Sequence, residues 1–305
     1  MSVRVFVAGK RWAGIFPALS TPTDRRGRLD EAGYRSMVRR NIDWGAHGLC
    51  ASIIAGEFYK FTEEERMRVF EVAVDAASGE APVLAGVSHT GTEPAVMLAK
   101  HAEDVGADGL VMMPPFFGRN MSRAMIFSHV GAVAARCGLP IMFQDAEDAT
   151  GVNISPTLYM ALAEEYSNVV SVKVEGSGTL DKVADTRRLL GDRLTIFGGM
   201  AARLMIQEME LGADGNIPDA CLTDVLVGVY NYMRAGDARK AKEIFGRYKV
   251  WVDFLGAHAA SSAEVEKETL RLRGVIKSSQ TRAPNIPLGD EAKRELKELL
   301  KGIVG

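Results

Sequence analysis

Cysteine is scarce. Cys50, Cys137 and Cys221 are the only three in a chain of 305 residues, and no two share a CxxC spacing. That excludes a disulfide framework and a cysteine-based zinc site, leaving three small hydrophobes suited to a reducing compartment. Long hydrophobic runs are missing too. None reaches the roughly 18 residues of a membrane span, and the opening MSVRVFVAGKRWAG is too short in apolar residues for a secretory signal. Nor is there an excess of one charge, since 37 Lys and Arg nearly balance 39 Asp and Glu for a net charge of −2. The electrostatic footprint of a nucleic-acid or membrane-surface protein is therefore not expected. These absences predict a cytoplasmic protein. With 47% apolar residues the chain can bury a large core and needs no metal or disulfide to hold it.

Present instead are short β-rich runs alternating with amphipathic helical runs. Eight candidate strands are GIFPALS (14–20), GLCASII (48–54), PVLAGVS (82–88), GLVMMPP (109–115), LPIMFQD (139–145), VVSVKVE (169–175), LTIFGG (194–199) and GNIP (215–218). They are apolar almost throughout, as parallel strands covered on both faces are. Between them lie helical patterns, one opened by a Thr62–Glu65 capping box and others closed by Gly106 and Gly212. This succession predicts an α/β protein, a (β/α)8 TIM barrel over residues 1–230. Residues 231–305 are helical and form a C-terminal helical extension. A doubly wound open sheet is the alternative, but no GxGxxG follows the first strand.

In such a barrel the chemistry lies at the C-terminal ends of the strands and in the loops after them. Polar residues there are Glu57, Ser88, His89, Gln144, Asp145, Lys173 and Glu175. Lys173 is the strongest candidate. Side chains alternate along a strand, so Val172 and Val174 take one face and Lys173 and Glu175 the other. A buried ammonium must pair with a carboxylate or lose its proton. A lysine deprotonated by burial attacks carbonyl carbon and forms a Schiff base. Glu175 lies about 6.7 Å along the strand, so it can be the resting partner and the working base. A purely structural Lys–Glu pair is the alternative. In AGEFYKFTEEER (55–66), Gly56 permits a tight turn whose N–H groups, near Ala55, could meet a carboxylate. His89 could act as acid or base near neutral pH, or simply be a solvent-facing loop residue. Gln144 cannot act as a base and would orient a ligand. Asp145 could serve the site or cap the following loop.

Several of these segments together resemble the dihydrodipicolinate synthase / N-acetylneuraminate lyase family. GEFYKFTEEER resembles its GE-x-x-x-L-T-x-x-E-R loop, GADGLVMMPPFF (106–117) its GAD-x-x-x-x-x-PYY stretch, and LPIMFQDAEDATG (139–151) its LP-I-x-x-YN-x-P-x-R-T-G stretch. VVSVKVEGSG resembles the segment carrying the Schiff-base lysine, and GADGNIPDA (212–220) the GA-x-G-x-IS segment. The resemblance implies a homo-oligomer, tetrameric or dimeric, that works without cofactor or metal. It implies that Lys173 forms an imine with a 2-oxo acid, commonly pyruvate, and that Ile54, Ala55, Gly56, Glu57, Phe117, Asp145, His89, Gly198 and Ile217 lie around the substrate. The departures matter as much. Gln144 stands where a proton-relaying tyrosine is usual, Phe117 where a second tyrosine is, Ile54 and Ala55 where hydroxyl residues are, and Ala149 where an arginine often binds the second substrate. Glu175 is then the first candidate for base, with Asp145 and His89 behind it. The expected activity is that of a class I lyase or aldolase on a 2-oxo acid. The alternatives are a 2-keto-3-deoxy sugar acid dehydratase, which GEFYKFT hints at, and a catalytically silent 2-oxo acid binder.

Overall fold

A computed structural model of the chain describes residues 11–116 and 121–304; Phe117 lies outside them. Eight strands appear in the predicted order: β1 (Gly14–Ile15), β2 (Leu49–Ala51), β3 (Val83–Gly86), β4 (Gly109–Met112), β5 (Ile141–Ala146), β6 (Val169–Glu175), β7 (Thr195–Gly198) and β8 (Gly215–Asn216). Seven of the predicted runs contain their strands, β5 extends one residue beyond its run to Ala146, and β6 spans its run from end to end. Helices intervene, giving the (β/α)8 succession. The chain gathers into two compact units, Met1–Gly14 with Pro82–Ile217 and Ile15–Ala81 with Pro218–Gly305.

In the first unit β3 to β8 pair parallel with their neighbours in chain order. Parallel neighbours require crossovers, supplied by helices such as Thr92–Asp104, Arg123–Arg136, Pro156–Glu165, Thr179–Leu190 and Met205–Glu210. Every residue of β3, β4 and β5 is buried. That explains their near-continuous apolar sequence. The register pairs Gln144 with Lys173 and Ala146 with Glu175, and Lys173 with Phe197. Gln144, Lys173 and Glu175 therefore share one face of the sheet.

In the second unit Ala18 bridges to Cys50 and to Asp219. The helix Glu63–Ala77 opens on the predicted capping box, with Thr62 accepting from the Glu65 N–H and Glu65 from the Thr62 N–H. After β8 come the helices Thr223–Arg234, Ala238–Ala257, Ser262–Leu272 and Asp290–Val304. Trp251 is fully buried, and its indole N–H donates to Thr269 Oγ1 at 3.0 Å. The three cysteines are buried and unbonded to one another. Among the described residues no helix is long and apolar enough to cross a membrane.

Arg282 ties three loops of this unit together. Its guanidinium lies 4.1 Å from the Phe61 ring, donates to the carbonyls of Gly27 at 2.6 Å and Lys60 at 3.1 Å, and forks onto Glu65. Replacing Arg282 with alanine should cost about 2 kcal/mol, since charge-assisted bonds to partly buried groups are lost together. The loss should appear as a lower urea midpoint. Lysine should restore only part of it, because an ammonium cannot make the fork. An unchanged midpoint in the alanine variant would refute this role.

Candidate active site

The C-terminal end of β6 brings three predicted residues together. Lys173 Nζ lies 3.0 Å from Glu175 Oε2, and the two side chains are 5% and 15% exposed. Gln144 Nε2 donates to the same oxygen at 2.6 Å. The other oxygen, Oε1, accepts from the Met200 N–H at 2.9 Å. Each oxygen of Glu175 is thus held, one by side chains and one by backbone.

The backbone that reaches Glu175 is unusual. Met200, Ala201 and Ala202 have φ of 52°, 52° and 55°, a left-handed conformation that costs about 1–2 kcal/mol per non-glycine residue. Strain of this kind persists where surrounding structure demands it, and here it aims the Met200 N–H at the carboxylate. Gly199 makes the approach possible, since a Cβ there would lie 2.2 Å from Glu175 Oε1.

Two predicted residues turn away from Lys173. Asp145 is one step from Gln144 and so occupies the opposite face of β5. It accepts from Tyr159 at 2.6 Å and Lys182 at 2.9 Å, both on helices. Burial pushes its pKa up, and the bonds from Tyr159 and Lys182 oppose the shift. Gly198 is paired with Asn216, again on the face opposite Lys173. Ile217 is buried, and its N–H donates to the Gly198 carbonyl at 3.0 Å. His89 is half-buried, and its Nδ1 accepts from the Gly91 N–H at 2.8 Å, which closes the turn into the next helix. Ser88 Oγ accepts from the Met113 N–H at 3.0 Å.

The loop after β2 belongs to the second unit. Gly56 lacks a side chain for a different reason from the one its sequence suggests. It has no positive φ; a Cβ would meet the Leu19 carbonyl at 2.9 Å. The left-handed residues are Ser52 and Glu57. The N–H groups of Gly56 and Glu57 are taken by the carbonyls of Ile53 and Ile54. Those of Ile54 and Ala55 open this 3-10 turn, have no partner within it, and can donate to an anion. Glu57 is 1% exposed, and its carboxylate is claimed by Lys60 at 2.6 Å and by Lys267. Its side chain therefore serves a buried charge cluster rather than a ligand.

The dihydrodipicolinate synthetase family profile matches residues 11–303. The chain belongs to this family. A 4-hydroxy-tetrahydrodipicolinate synthase of Methanopyrus kandleri is 30% identical over 94% of both chains. An L-2-keto-3-deoxyarabonate dehydratase of Azospirillum brasilense is 28% identical over 94% of this chain and 93% of its own. The crystal structure of YagE, a dihydrodipicolinic acid synthase family protein of E. coli K12 in complex with pyruvate, superposes with a TM-score of 0.86 at 26% identity, covering 96% of this chain and 98% of that one. Family and fold class are those the sequence motifs imply, a (β/α)8 barrel with C-terminal helices. Within the dihydrodipicolinate synthetase family the chain is a lyase.

Glu208 was not anticipated from the sequence. It sits on Met205–Glu210 in a run of helical character, with nothing local to mark it. Yet it is 1% exposed and accepts from Asn216 Nδ2 at 2.7 Å, while its Oε1 has no partner. It presses on Gly198, where a Cβ would lie 1.9 Å from its Oε2. Burial, then the charge of Glu175, raise its pKa from 4.5 to about 8, against the opposing pull of Asn216 and Lys173. A carboxyl whose folded pKa is raised contributes stability that is whole below its unfolded pKa and lost as pH rises through the folded one. Stability should therefore fall between about pH 5 and pH 8 by an amount on the order of a few kcal/mol. Glu208→Gln keeps an acceptor for Asn216 and cannot ionise, so its urea midpoint should vary less over that range and exceed wild type at the alkaline end. An equal slope in both proteins would refute the assignment.

Proposed function

We propose that the protein is a class I lyase that forms a Schiff base between Lys173 and a 2-oxo acid such as pyruvate. The observation that carries this reading is the buried lysine at the end of β6 with a carboxylate 3.0 Å from its nitrogen. Amine attack on the C2 carbonyl requires the ammonium to give up a proton, and Glu175 is the nearest acceptor. Loss of water then leaves a cationic imine, which draws electrons from C3. Glu175 is the base we assign to the C3 proton, and Gln144 the residue that fixes the carboxylate while contributing no proton of its own.

Two outcomes diverge from that imine. Retro-aldol cleavage breaks the C3–C4 bond; dehydration removes the C3 proton and expels hydroxide from C4. Two observations favour dehydration of a 2-keto-3-deoxy sugar acid as the second reading. One is the relative named L-2-keto-3-deoxyarabonate dehydratase, matched along nearly its whole length. The other is Gln144, which leaves β5 without the hydroxyl usual in the family. Family resemblance further supports a homo-oligomer, a dimer or tetramer.

Borohydride reduction in the presence of pyruvate should add one reduced pyruvate adduct to the intact mass of the wild type and none to Lys173→Ala. An alanine variant that gains the adduct loses Lys173 its role, and a wild type that gains none points to a silent binder. Glu175→Gln should still be trapped, because the lysine remains, but turn over about 100-fold or more slowly. Screening 2-keto-3-deoxy sugar acids for pyruvate release against water loss then separates cleavage from dehydration.

A further inference from the structure

The second unit carries a cavity of about 540 Å3, within the range of small-molecule sites. Its apolar wall is made by Trp44, Leu300 and Val304, and its charged lining by Arg40, Arg273, Lys297 and Lys301, with no acidic side chain among the lining residues. Three chain segments meet there: the end of the helix Glu31–Asp43, the end of Ser262–Leu272, and the last two turns of Asp290–Val304.

The cations are not equivalent. Arg273 is fixed. Its guanidinium lies 4.0 Å from the Trp44 ring, forks onto Asp224 at 2.6 and 2.9 Å, and donates to the Cys221 carbonyl at 2.8 Å. It is already neutralised and serves as floor. Lys301 pairs with Glu298, but both side chains are about two-thirds exposed, 65% and 67%, where such a pair holds little energy. Among the described residues no carboxylate lies at ion-pair distance from Arg40 or Lys297.

Helix ends attract cations, and that accounts for Arg40 and Lys301 in the last turns of their helices. It does not account for Lys297, in the body of its helix, or for an apolar hollow beside the cluster. The cavity of about 350 Å3 in the first unit is a contrast. There Arg11 is paired with Asp192 and Asp214, and Arg193 with Glu164, so its charges are balanced.

We propose that the cavity of the second unit is a binding site for a small amphiphilic anion, a carboxylate or sulfonate on an aromatic or branched aliphatic body. The body lies against Trp44, Leu300 and Val304, and the anionic group meets Arg40 and Lys297. The site draws on none of the lysine chemistry proposed above.

The test uses 8-anilinonaphthalene-1-sulfonate as probe and its uncharged analogue N-phenyl-1-naphthylamine as control, both followed by fluorescence. The sulfonate should bind at one saturable site per chain, and the uncharged analogue about tenfold or more weakly. The double variant R40E/K297E, altered only at exposed positions, should keep the wild-type circular dichroism spectrum and bind the sulfonate at least about tenfold more weakly. Equal affinity of the two probes for the wild type, or equal affinity of the two proteins for the sulfonate, overturns the proposal. The first comparison needs no variant, so it stands whatever the substitutions do to folding.

Discussion

The ion pair between Lys173 and Glu175 joins side chains two residues apart on one face of β6. Taking two charges out of water costs several kcal/mol per ion unless good geometry and further hydrogen bonds offset it. The offset here is visible. Gln144 and the Met200 N–H donate to the two oxygens of the carboxylate, so Glu175 keeps a full set of partners on the protein side. On the proposed reading, this carboxylate is also the group that takes the proton of Lys173.

That arrangement depends on two adjacent glycines. Gly198 ends β7 and Gly199 follows it, and the two positions where side chains are missing face different neighbours. Glu208 occupies the space at Gly198 and Glu175 the space at Gly199. Two carboxyl groups therefore flank one stretch of backbone. Both cannot ionise cheaply, and Glu175 is the one with a cation and a backbone donor. The charge of Glu175 is among the causes that keep Glu208 protonated. The left-handed run from Met200 to Ala202 is the conformational cost of turning a peptide N–H toward Glu175 immediately after the strand.

What the sequence made legible follows from how local each signal is. The strand β6 and the shared face of Lys173 and Glu175 follow from alternation over seven residues. The capping box at Thr62 follows from a four-residue pattern. The family's LP-I-x-x-YN motif marks Gln144 as the replacement of a tyrosine, but its place beside Lys173 is set by the β5–β6 register. Asp145, open between two roles in the sequence, shows the limit of such reading: proximity to a strand end does not specify a face, and one residue of register reverses it. The burial of Glu57 is not legible locally, because its partner Lys267 lies 210 residues away. Glu208 was invisible because nothing in MIQEME announces which carboxylate the fold will bury.

Gln144 decides how the proton work is shared on the proposed reading. A tyrosine at that position would carry a proton itself; an amide holds Glu175 and carries none. The proton taken from Lys173 and the one taken from C3 then fall to the same carboxylate in succession. Such a sequence is chemically complete if each proton leaves before the next arrives. Water expelled from the carbinolamine removes the first, and hydroxide leaving C4 can remove the second. Cleavage of C3–C4 uses the same two atoms in the opposite order, removing the proton of the C4 hydroxyl first and returning one to C3 last. On the proposed reading a fixed Glu175, held at both oxygens, must serve C3 and the C4 oxygen on either branch, so what separates the branches is which of the two atoms gives up its proton first.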